Sequence, residues 1–565
     1  MNTSDKNKSS KKLKFSTSQL MIGILLLISI LGTLGWFSGR LDLTDEKRYT
    51  LSESTLQILN RVKEPMKIKV YLKGDFPANF RQLQNETKFI LDEFQKVNSK
   101  IEYQFIDPIA TKMSQDTLEA MGMSPSILPE MRDGKISQIV LFPYAAVQYE
   151  GYGTSLPLII QQRGIDASEQ LNKSIENLEY NFVSTIKDMT ETENQNIGFL
   201  VNQEELKPQE FNGFIEMTLD HYNIGPIIPE NKKELSAQDI PKLQQMDALV
   251  IAKPRKAFTD KEKIILDQYI MHGGKTLWMI DKVNAEMDTL FRSKKIMAYP
   301  VDLNLTDFMF NYGIRINSGL VKDMKKAALL RVEAGEVAGN PQYNSFLWPY
   351  FPLGIAENNH PITKNLDPVK FEFPTEIDTI HREGIKKTVL YESSDRTLVK
   401  PVPNYISLTE IANTDSLAAY ERPTPPKIFA VLLEGKFPSA YQNRIERNEI
   451  KDFKSKSPEN KMIVISDGDI ARNGVMKGQP MPLGYDLLTN TQYGNAQFLR
   501  NSLDYLLDDS NLMELRNRSL KMRSLDRQRL NYERGKWQWI NFSFPLAIIA
   551  LLAFGCMFLH KKKFK

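Results

Sequence analysis

Two aspartates that follow a predicted strand are the residues best placed to do chemistry. Asp467 and Asp469 flank a glycine directly after the apolar run 461–466, and Asp281 follows the apolar run 276–280 in the same way. Ligands of open parallel sheets bind where the strands end, so these carboxylates could contact a cation or a polar ligand. The other interpretation, which we favour, is a glycine turn in which the aspartates accept hydrogen bonds from nearby backbone amides.

Motifs for other kinds of chemistry are absent from the sequence. The four Gly-Lys pairs lack the upstream glycine with which a P-loop cradles phosphates, and no Gly-x-Ser-x-Gly marks a serine hydrolase. The five histidines never show His-x-x-x-His spacing, and the only cysteine, Cys556, lies in an apolar run. We therefore expect a non-enzymatic protein with no catalytic residues, no metal and no cofactor.

Two uncharged apolar stretches indicate how the body of the protein is held. Residues 20–37 follow five lysines, and residues 537–559 precede four lysines. A helix of about 20 apolar residues crosses a bilayer core, and lysine-rich flanks remain in the cytoplasm. We predict a two-pass protein of the cell inner membrane, with both termini cytoplasmic and the large middle part periplasmic.

Two features leave alternatives open. A cleaved signal peptide competes with the first membrane span. Because the basic run 516–536 precedes the second span and four lysines follow it, the flanking charges give this span no preferred orientation. The basic run either forms a solvated helix face above anionic headgroups or binds acidic groups of a partner. Because the first helix usually decides orientation, we keep the two-pass topology.

The charge balance excludes one class of partner. The chain has 73 Lys and Arg residues against 69 Asp and Glu residues, and its net charge of +4 comes from the lysine-rich tails. The middle part has no basic excess, so we expect no nucleic-acid partner. Because the only cysteine lies in the second apolar stretch, the middle part can form no disulfide, and the hydrophobic cores of two or three domains must stabilise it.

Hydrophobic periodicity predicts two α/β units that would position these groups. The pattern from 66 to 105 predicts a β-α-β unit, and the strands and helices that alternate from 197 to 280 predict a parallel, doubly wound sheet. Further helices are predicted at 51–60 with Thr50 as the cap, 169–189, 306–311, 495–507 and 512–534. Residues 315–356 give no clear pattern, and residues 444–459 are predicted to form an exposed loop.

The predicted fold class is α/β, with exported tandem α/β domains flanked by one transmembrane helix at each end. The larger domain is expected to contain a doubly wound, mostly parallel sheet. The predicted parts are a cytoplasmic tail (1–19), transmembrane helix 1 (20–39), an N-terminal α/β domain (40–190), the doubly wound domain (191–510), a basic juxtamembrane helix (511–536), transmembrane helix 2 (537–559) and a cytoplasmic tail (560–565).

Short segments throughout the chain resemble one known family. They are residues 42–44 (DLT), 49–52 (YTLS), 174–180 (SIENLEY), 252–254 (AKP), 273–275 (GGK), 312–313 (YG), 433–441 (LEGKFPSAY), 443–444 (NR), 466–469 (SDGD), 482–486 (PLGYD) and 491–498 (TQYGNAQF). In these segments the chain resembles the GldG family of gliding-motility ABC-transporter auxiliary, or substrate-binding, proteins of Bacteroidota. The resemblance covers nearly the whole chain, including both apolar stretches.

The resemblance implies both a fold and partners. It implies an exported α/β domain similar to intraflagellar-transport and amidotransferase-like folds, without their enzymatic residues. It also implies a separate ABC ATPase subunit and an ABC permease subunit, in line with the missing P-loop. Many members of the family have Gly-His-Gly-Glu after the strand at 197, where this chain has Asn202-Gln-Glu-Glu205, so we transfer no role of that histidine.

The expected function is that of a membrane-anchored accessory subunit of an ABC-type transporter required for gliding motility, with an envelope protein or a solute as its ligand. The alternative is a structural scaffold that links inner-membrane motility or secretion machinery to the cell envelope, and an envelope hydrolase has the least support. The candidate contacts for a ligand or partner are Glu434, Lys436, Tyr441, Arg444, Asp467 and Asp469.

Overall fold

Two β-sheets, one of four strands and one of ten, organise the structure. The computed structural model describes residues 50–561 except 75, 133–134, 161, 163, 192–193, 220, 232, 338–339, 357–358, 413–422, 445–449 and 518–526. The predicted N-terminal tail and first membrane span lie outside the described residues and remain predictions. The described residues from Leu51 onward belong to one compact unit.

The four-stranded sheet is built on the predicted β-α-β unit. The elements of this region are α1 Glu53–Leu59, β1 Met66–Val70, α2 Ala78–Val97, β2 Ile101–Phe105, α3 Gln115–Ala120, β3 Ser126–Arg132, β4 Lys135–Leu141, β5 Tyr144–Tyr149, β6 Tyr152–Pro157, α4 Ala167–Glu176 and α5 Leu178–Thr190. β1 pairs in parallel with β2, and β5 and β6 extend the sheet as antiparallel strands in the order β2-β1-β5-β6. Strands β3 and β4 form a separate hairpin.

Two details of this region correct the predictions. Helix α1 is capped by Ser52, whose hydroxyl accepts the amide of Thr55, rather than by Thr50. The predicted helix 169–189 is two helices, because it is interrupted at Asn177. The Asn177 amide group donates to the Lys173 carbonyl at 2.7 Å, which is the local side-chain competition that makes asparagine a poor interior helix residue.

Alternating strands and helices form one half of the ten-stranded sheet. The elements are β7 Asn196–Leu200, α6 Pro208–Leu219, β8 Asn223–Ile227, α7 Ile240–Leu243, β9 Ala248–Ala252, α8 Asp260–Met271, β10 Lys275–Met279, β11 Val283–Asn284, α9 Met287–Ser293, β12 Lys295–Pro300 and α10 Thr306–Asn311. Strands β10, β9, β7 and β8 are all parallel neighbours. The predicted capping box of Thr259 and Glu262 at the start of α8 is confirmed.

Strands dominate the rest of the body. The elements are β13 Ile314–Asp323, β14 Ala327–Val337, β15 Asn340–Gly354, β16 Val369–Lys370, β17 Thr375–Thr379, β18 Ile385–Glu392, β19 Thr397–Pro401, β20 Asn404–Ser407, β21 Ile428–Pro438, β22 Lys456–Ile465, β23 Val475–Met476, β24 Gln479–Pro480, β25 Tyr485–Asp486, β26 Thr491–Gln492, α11 Asn495–Leu507 and α12 Arg527–Lys561. The large sheet has the order β19-β13-β17-β21-β22-β10-β9-β7-β8, with β18 paired to β21.

The large sheet is mixed, so the prediction of a mostly parallel sheet is wrong. β22 is parallel to β10, but β21 runs antiparallel to β22, and the strands beyond it are also joined by antiparallel pairings. A parallel neighbour requires a crossover, usually through a helix. Residues 439–455, where described, form turns and no helix, so β21 and β22 meet as consecutive antiparallel strands. The predicted loop 444–459 also ends earlier than expected, since β22 begins at Lys456.

Helices cover both faces of the large sheet. On one face, α6 and α11 bury side chains such as Phe214 and Leu503 against the strands. On the other face, α8 and α10 bury side chains such as Ile265 and Phe308. A sheet covered on both faces has buried strands, which explains the continuous apolar run of β9. The ends of these strands are therefore the accessible places for a polar site.

One helix in the described part of the chain is long and apolar enough to cross a membrane. It covers residues 532–555 of α12, with a mean hydropathy of 1.6. The large apolar side chains whose burial is described in it are exposed, including Trp539 at 70% and Phe554 at 73%. The prediction of a basic helix at 512–534, directly before this span, is wrong at its start. Residues Leu512–Asn517 form a 3₁₀ turn, and Leu512 and Leu515 pack into the core of the N-terminal sheet.

Candidate functional site

The carboxyl ends of three neighbouring parallel strands bring four charged side chains together. Lys253 follows β9, Asp281 follows β10, and Asp467 and Asp469 follow β22. Carboxylate oxygens of the three aspartates lie within 4.8 Å of one another. The Lys253 Nζ atom lies 2.6 Å from Asp469 Oδ2 and 3.1 Å from Asp281 Oδ2. We call these four residues the lysine–aspartate cluster.

Two of the aspartates accept hydrogen bonds from backbone amides and so stabilise turns. Asp467 accepts the amide of Asp469 at 2.8 Å and the amide of Glu372 at 2.7 Å, one on each carboxylate oxygen. Asp281 accepts the amide of Gly468 at 2.5 Å. A Cβ atom at Gly468 would lie 2.7 Å from the Lys253 Cβ atom, so only glycine allows this approach. The turn interpretation therefore describes Asp467, whereas Asp469 instead holds a lysine.

Burial sets the electrostatics of the cluster. Asp467 is fully buried, and Lys253 is 3% exposed. Burial raises the pKa of Asp281 to about 6, against the lowering effect of Lys253, and burial beside Asp281 and Asp469 raises the pKa of Asp467 well above its ordinary value. Burial alone would lower the pKa of Lys253, but Asp281 and Asp469 outweigh it and raise that pKa. The lysine therefore stays charged.

The cluster fits an internal ion group better than a metal centre. Three carboxylates at this spacing could bind a divalent cation through oxygen. However, the ammonium of Lys253 already lies within hydrogen-bond distance of Asp469, at the place where such a cation would need to sit. A metal ion would have to displace a buried lysine, leaving its charge unpaired. The chemistry of these residues therefore favours a permanent counter-ion over catalysis.

Two cavities open beside the cluster. The first, of about 570 Å³, is lined by Asp469 and by Glu210, Asp288, Lys370 and Arg472 among others, and we call it the Asp469 cavity. The second, of about 780 Å³, is lined by residues that include Lys253, Asp281 and Glu286. Adjacent residues contribute to different cavities, since Glu286 lines the second and Met287 lines the first. Both cavities have volumes typical of small-molecule sites.

The predicted segment 433–444 lies at the other end of β22. Glu434 pairs with Lys461 and Lys436 pairs with Glu459 in the antiparallel register of β21 and β22, whereas Asp467 lies two residues after the end of β22. The six predicted contact residues therefore do not form one site. Only Asp467 and Asp469 lie at the carboxyl edge of the parallel strands.

The side chains of this segment have different environments. The Tyr505 hydroxyl donates to Glu434 at 2.8 Å, and Lys436 is exposed on the surface. Tyr441 is buried at 2% exposure, with the Arg444 guanidinium 5.2 Å from its ring centre. Arg444 also lies 3.4 Å from Asp307. The exposed cations, Lys436 and Arg444, are therefore the members of this segment available to a partner.

A buried carboxylate anchors the same segment to helix α8. Asp267 accepts hydrogen bonds from the Ser439 hydroxyl at 2.6 Å, the Ala440 amide at 2.8 Å and the Tyr312 hydroxyl at 2.8 Å. Burial nevertheless raises the pKa of this carboxyl. The Pro-Ser-Ala-Tyr part of the motif thus has a structural role.

Three groups that contribute to the site at the carboxyl ends of the parallel strands were not identified from the sequence. Lys253 lies in the Ala-Lys-Pro segment of the family resemblance, but a lysine after a strand is usually solvated. Arg472, three residues after Asp469, ion-pairs with Asp288 at 2.6 Å and Glu210 at 3.1 Å. The amide of Glu372 binds Asp467 from a distant part of the chain. Only spatial proximity reveals these contacts.

Comparison with known proteins gives two family matches. Residues 194–502, more than half of the chain, match the ABC transporter auxiliary family, described as "ABC-type uncharacterized transport system". Residues 45–148 match a "Domain of unknown function (DUF7088)". No curated protein matches the chain. Among solved structures, it is similar to "mmIFT52 N-terminal domain", with 12% identity and a TM-score of 0.31, over 55% of this chain and 97% of that one.

Proposed function

The chain belongs to the family described as "ABC-type uncharacterized transport system", and on this premise we propose that it is a membrane-anchored accessory subunit of an ABC transporter. The subunit is non-enzymatic and acts in gliding motility, as its resemblance to the GldG family implies. Its α/β body lies on the periplasmic side of the inner membrane. The family match over residues 194–502 is the observation that carries this proposal.

The chemistry of the site supports an accessory role. Each aspartate at the carboxyl edge is already bound by a backbone amide or by Lys253, so these groups are poorly suited to act as acid, base or nucleophile. The sequence has no P-loop. Energy must therefore come from a separate ATPase subunit, acting through a permease in the membrane.

The exposed apolar helix supports the membrane anchor. The side chains of α12 that are described make few contacts with the body, and Trp537, Trp539 and Phe542 are more than half exposed. Aromatic residues at the start of a span are typical of the membrane interface. Lipid or a permease would cover this surface.

Co-isolation tests the proposal. The full chain, tagged and extracted from its native membrane in a mild detergent, should bring with it a polytopic permease and a protein with a P-loop, both identified by mass spectrometry. A tagged unrelated two-pass protein of the same membrane provides the control. Recovery of the chain alone under several mild conditions would contradict the proposal.

A second candidate function, a structural scaffold, is favoured by one surface. The hairpin of β14 and β15 exposes Leu329 at 45% and its cross-strand partner Leu347 at 49%, and exposed apolar groups of this kind mark protein contacts. Replacing both leucines by serine distinguishes the two functions. Loss of an envelope partner with the permease and ATPase retained supports a scaffold role.

A further inference from the structure

We propose that the Asp469 cavity binds a small organic cation through a primary ammonium group. This inference names the class of solute for the proposed accessory subunit, and it rests on that function only for its biological role. It concerns the cavity of about 570 Å³ beside the lysine–aspartate cluster. Three observations support it: the charge of the cavity wall, a buried carboxylate oxygen without a donor, and an apolar rim.

The wall of the cavity carries more negative than positive groups. Its five carboxylates belong to Glu210, Asp288, Glu372, Asp469 and Asp486, and its three cations to Lys207, Lys370 and Arg472. An excess of carboxylates in a concave site attracts cations.

Two of the three cations are occupied by these carboxylates. The Lys370 ammonium lies 2.8 Å from both Glu372 and Asp486. The Arg472 guanidinium lies 2.6 Å from Asp288. An anionic ligand would therefore have to compete with carboxylates already in place, whereas a cationic ligand would add to a wall of excess negative charge.

Asp469 has a buried oxygen that lacks a donor. The residue is 7% exposed, and its Oδ2 atom binds Lys253, but its Oδ1 atom accepts no hydrogen bond from the residues that the structure describes. The Nη1 atom of Arg472 lies 3.7 Å from Oδ1, which is beyond hydrogen-bond length. A buried acceptor without a donor is costly. A donor that reaches this oxygen would satisfy it, and a cationic donor would also add to the charge compensation that Lys253 already provides.

The rim favours an organic cation over a hydrated metal ion. Val475, Leu487 and Leu488 line the cavity and are 41%, 37% and 38% exposed. These side chains offer apolar contact to a carbon skeleton. Within the wall, the Lys370 ammonium lies 4.5 Å from the ring centre of Phe351, so this cavity already accommodates an amine against an aromatic face.

Calorimetry on the purified full chain in detergent tests the inference with three probes of similar length. The probes are 1,4-diaminobutane, uncharged butane-1,4-diol and the dianion succinate. We expect the diamine to bind, and the diol and succinate to bind far more weakly. Equal binding of diamine and diol, tighter binding of succinate, or no measurable diamine binding would each overturn the inference.

A charge-reversal pair at the rim locates the binding site. Leu488→Lys should weaken diamine binding by about threefold, and Leu488→Glu should strengthen it by about threefold, as expected for one added charge at about 7 Å in water. Tyr152 lies in strand β6 of the four-stranded sheet, is 79% exposed and does not line the cavity, so Tyr152→Lys and Tyr152→Glu provide matched controls that should have no effect. If the variants at Leu488 and at Tyr152 changed the diamine affinity equally, the assignment of the binding site to this cavity would be overturned.

Asp469→Asn tests the floor of the cavity, and we expect it to lose most of the diamine binding. Because it also weakens the contact with Lys253, its folding is checked by circular dichroism. If the variant fails to fold, the Leu488 pair decides the outcome. Co-isolation with permease and ATPase is measured on the same samples. Retained co-isolation without diamine binding by the wild type rejects the cation site and leaves the accessory function intact.

Discussion

Lys253 holds the carboxyl edge of the large sheet together, since its ammonium is the counter-ion of Asp281 and Asp469. It is also one of the few non-glycine residues with a positive φ, at +54°. Such a conformation costs free energy and persists where surrounding contacts impose it. The Lys253 amide donates to the Met279 carbonyl at 2.8 Å and its ammonium pairs with Asp281 and Asp469, so both ends of the residue are held.

Replacing Lys253 by methionine should therefore destabilise the protein. Lys253→Met removes the charge but retains a long apolar side chain, and it leaves Asp281 and the Oδ2 atom of Asp469 without their ammonium partner. We expect a loss of about 3–5 kcal/mol in the free energy of unfolding, the usual cost of breaking a buried ion pair. Urea unfolding followed by circular dichroism measures it. Lys261→Met, at an exposed position of α8, is the matched control, and similar values for the two variants would refute the counter-ion role.

Glu205 predicts a pH dependence of stability. It is 8% exposed, and burial raises its pKa from an ordinary 4.5 to about 7. Within the described part of the chain, its Oε1 atom and that of nearby Gln203 are buried and accept no hydrogen bond, so a proton on Glu205 supplies a donor. Because the folded pKa is the higher one, this stabilisation is complete below the unfolded pKa and is lost as the pH rises through about 7.

Glu205→Gln removes this loss. The variant should match the wild type near pH 4 and be more stable by about 2–3 kcal/mol at pH 8. Urea unfolding across this pH range gives the comparison. Glu204→Gln, at the exposed neighbouring position, should follow the wild-type curve. If Glu205→Gln also runs parallel to the wild type at every pH, the buried carboxyl does not titrate as described.

The chemistry of the edge could be predicted from the sequence only in part. Asp281, Asp467 and Asp469 were identifiable because each follows an apolar strand of a parallel arrangement. Lys253 was not identifiable, because its burial is seen only in the three-dimensional structure, where the ends of three strands meet around it. The contacts predicted in segment 433–444 lie at the opposite end of β22 because β21 is antiparallel, a direction that periodicity does not encode.

At the scale of elements, regular patterns were readable and irregular ones were not. The long amphipathic helices and the apolar strands of the parallel half have strong periodicity, and the helix predicted at 495–507 has these bounds in the structure. The hairpin of β14 and β15 was missed. Residues 342–347 of β15 are all exposed, so no alternation of buried and exposed positions marks this part of the strand.

The pairing of β18 with β21 depends on a glycine. Gly435 has a φ of +132°, and a Cβ atom there would lie 2.1 Å from the carbonyl oxygen of Gly384. Gly435→Ala should therefore separate the strands locally and lower the free energy of unfolding by about 2–3 kcal/mol. Urea unfolding and hydrogen exchange of the β18 amides measure the effect.

Gly153→Ala is the matched control for this substitution. It lies in strand β6, where a Cβ atom has only ordinary contacts at 3.6 Å or more. We expect little change in its stability, or a small gain from the less flexible unfolded chain. A Gly435→Ala protein as stable as this control would show that the two strands can move apart at no cost.

At the scale of the whole molecule, the chain combines a body with paired charges and an apolar helix that its own body leaves exposed. The N-terminal and C-terminal parts of the body are tied together, since Leu512 and Leu515 pack in the core of the N-terminal sheet. A permease that binds α12, as proposed, would therefore contact the part of this chain that its own body leaves exposed.

Protease added to intact spheroplasts measures directly on which side of the inner membrane the α/β body lies. We predict cuts within residues 40–536, with the lysine-rich tails protected until detergent opens the membrane. A cytoplasmic marker protein that stays uncut shows that the membrane is closed. If residues 40–536 resist the protease while the tails are digested, the body lies in the cytoplasm, and the proposed periplasmic accessory subunit is contradicted.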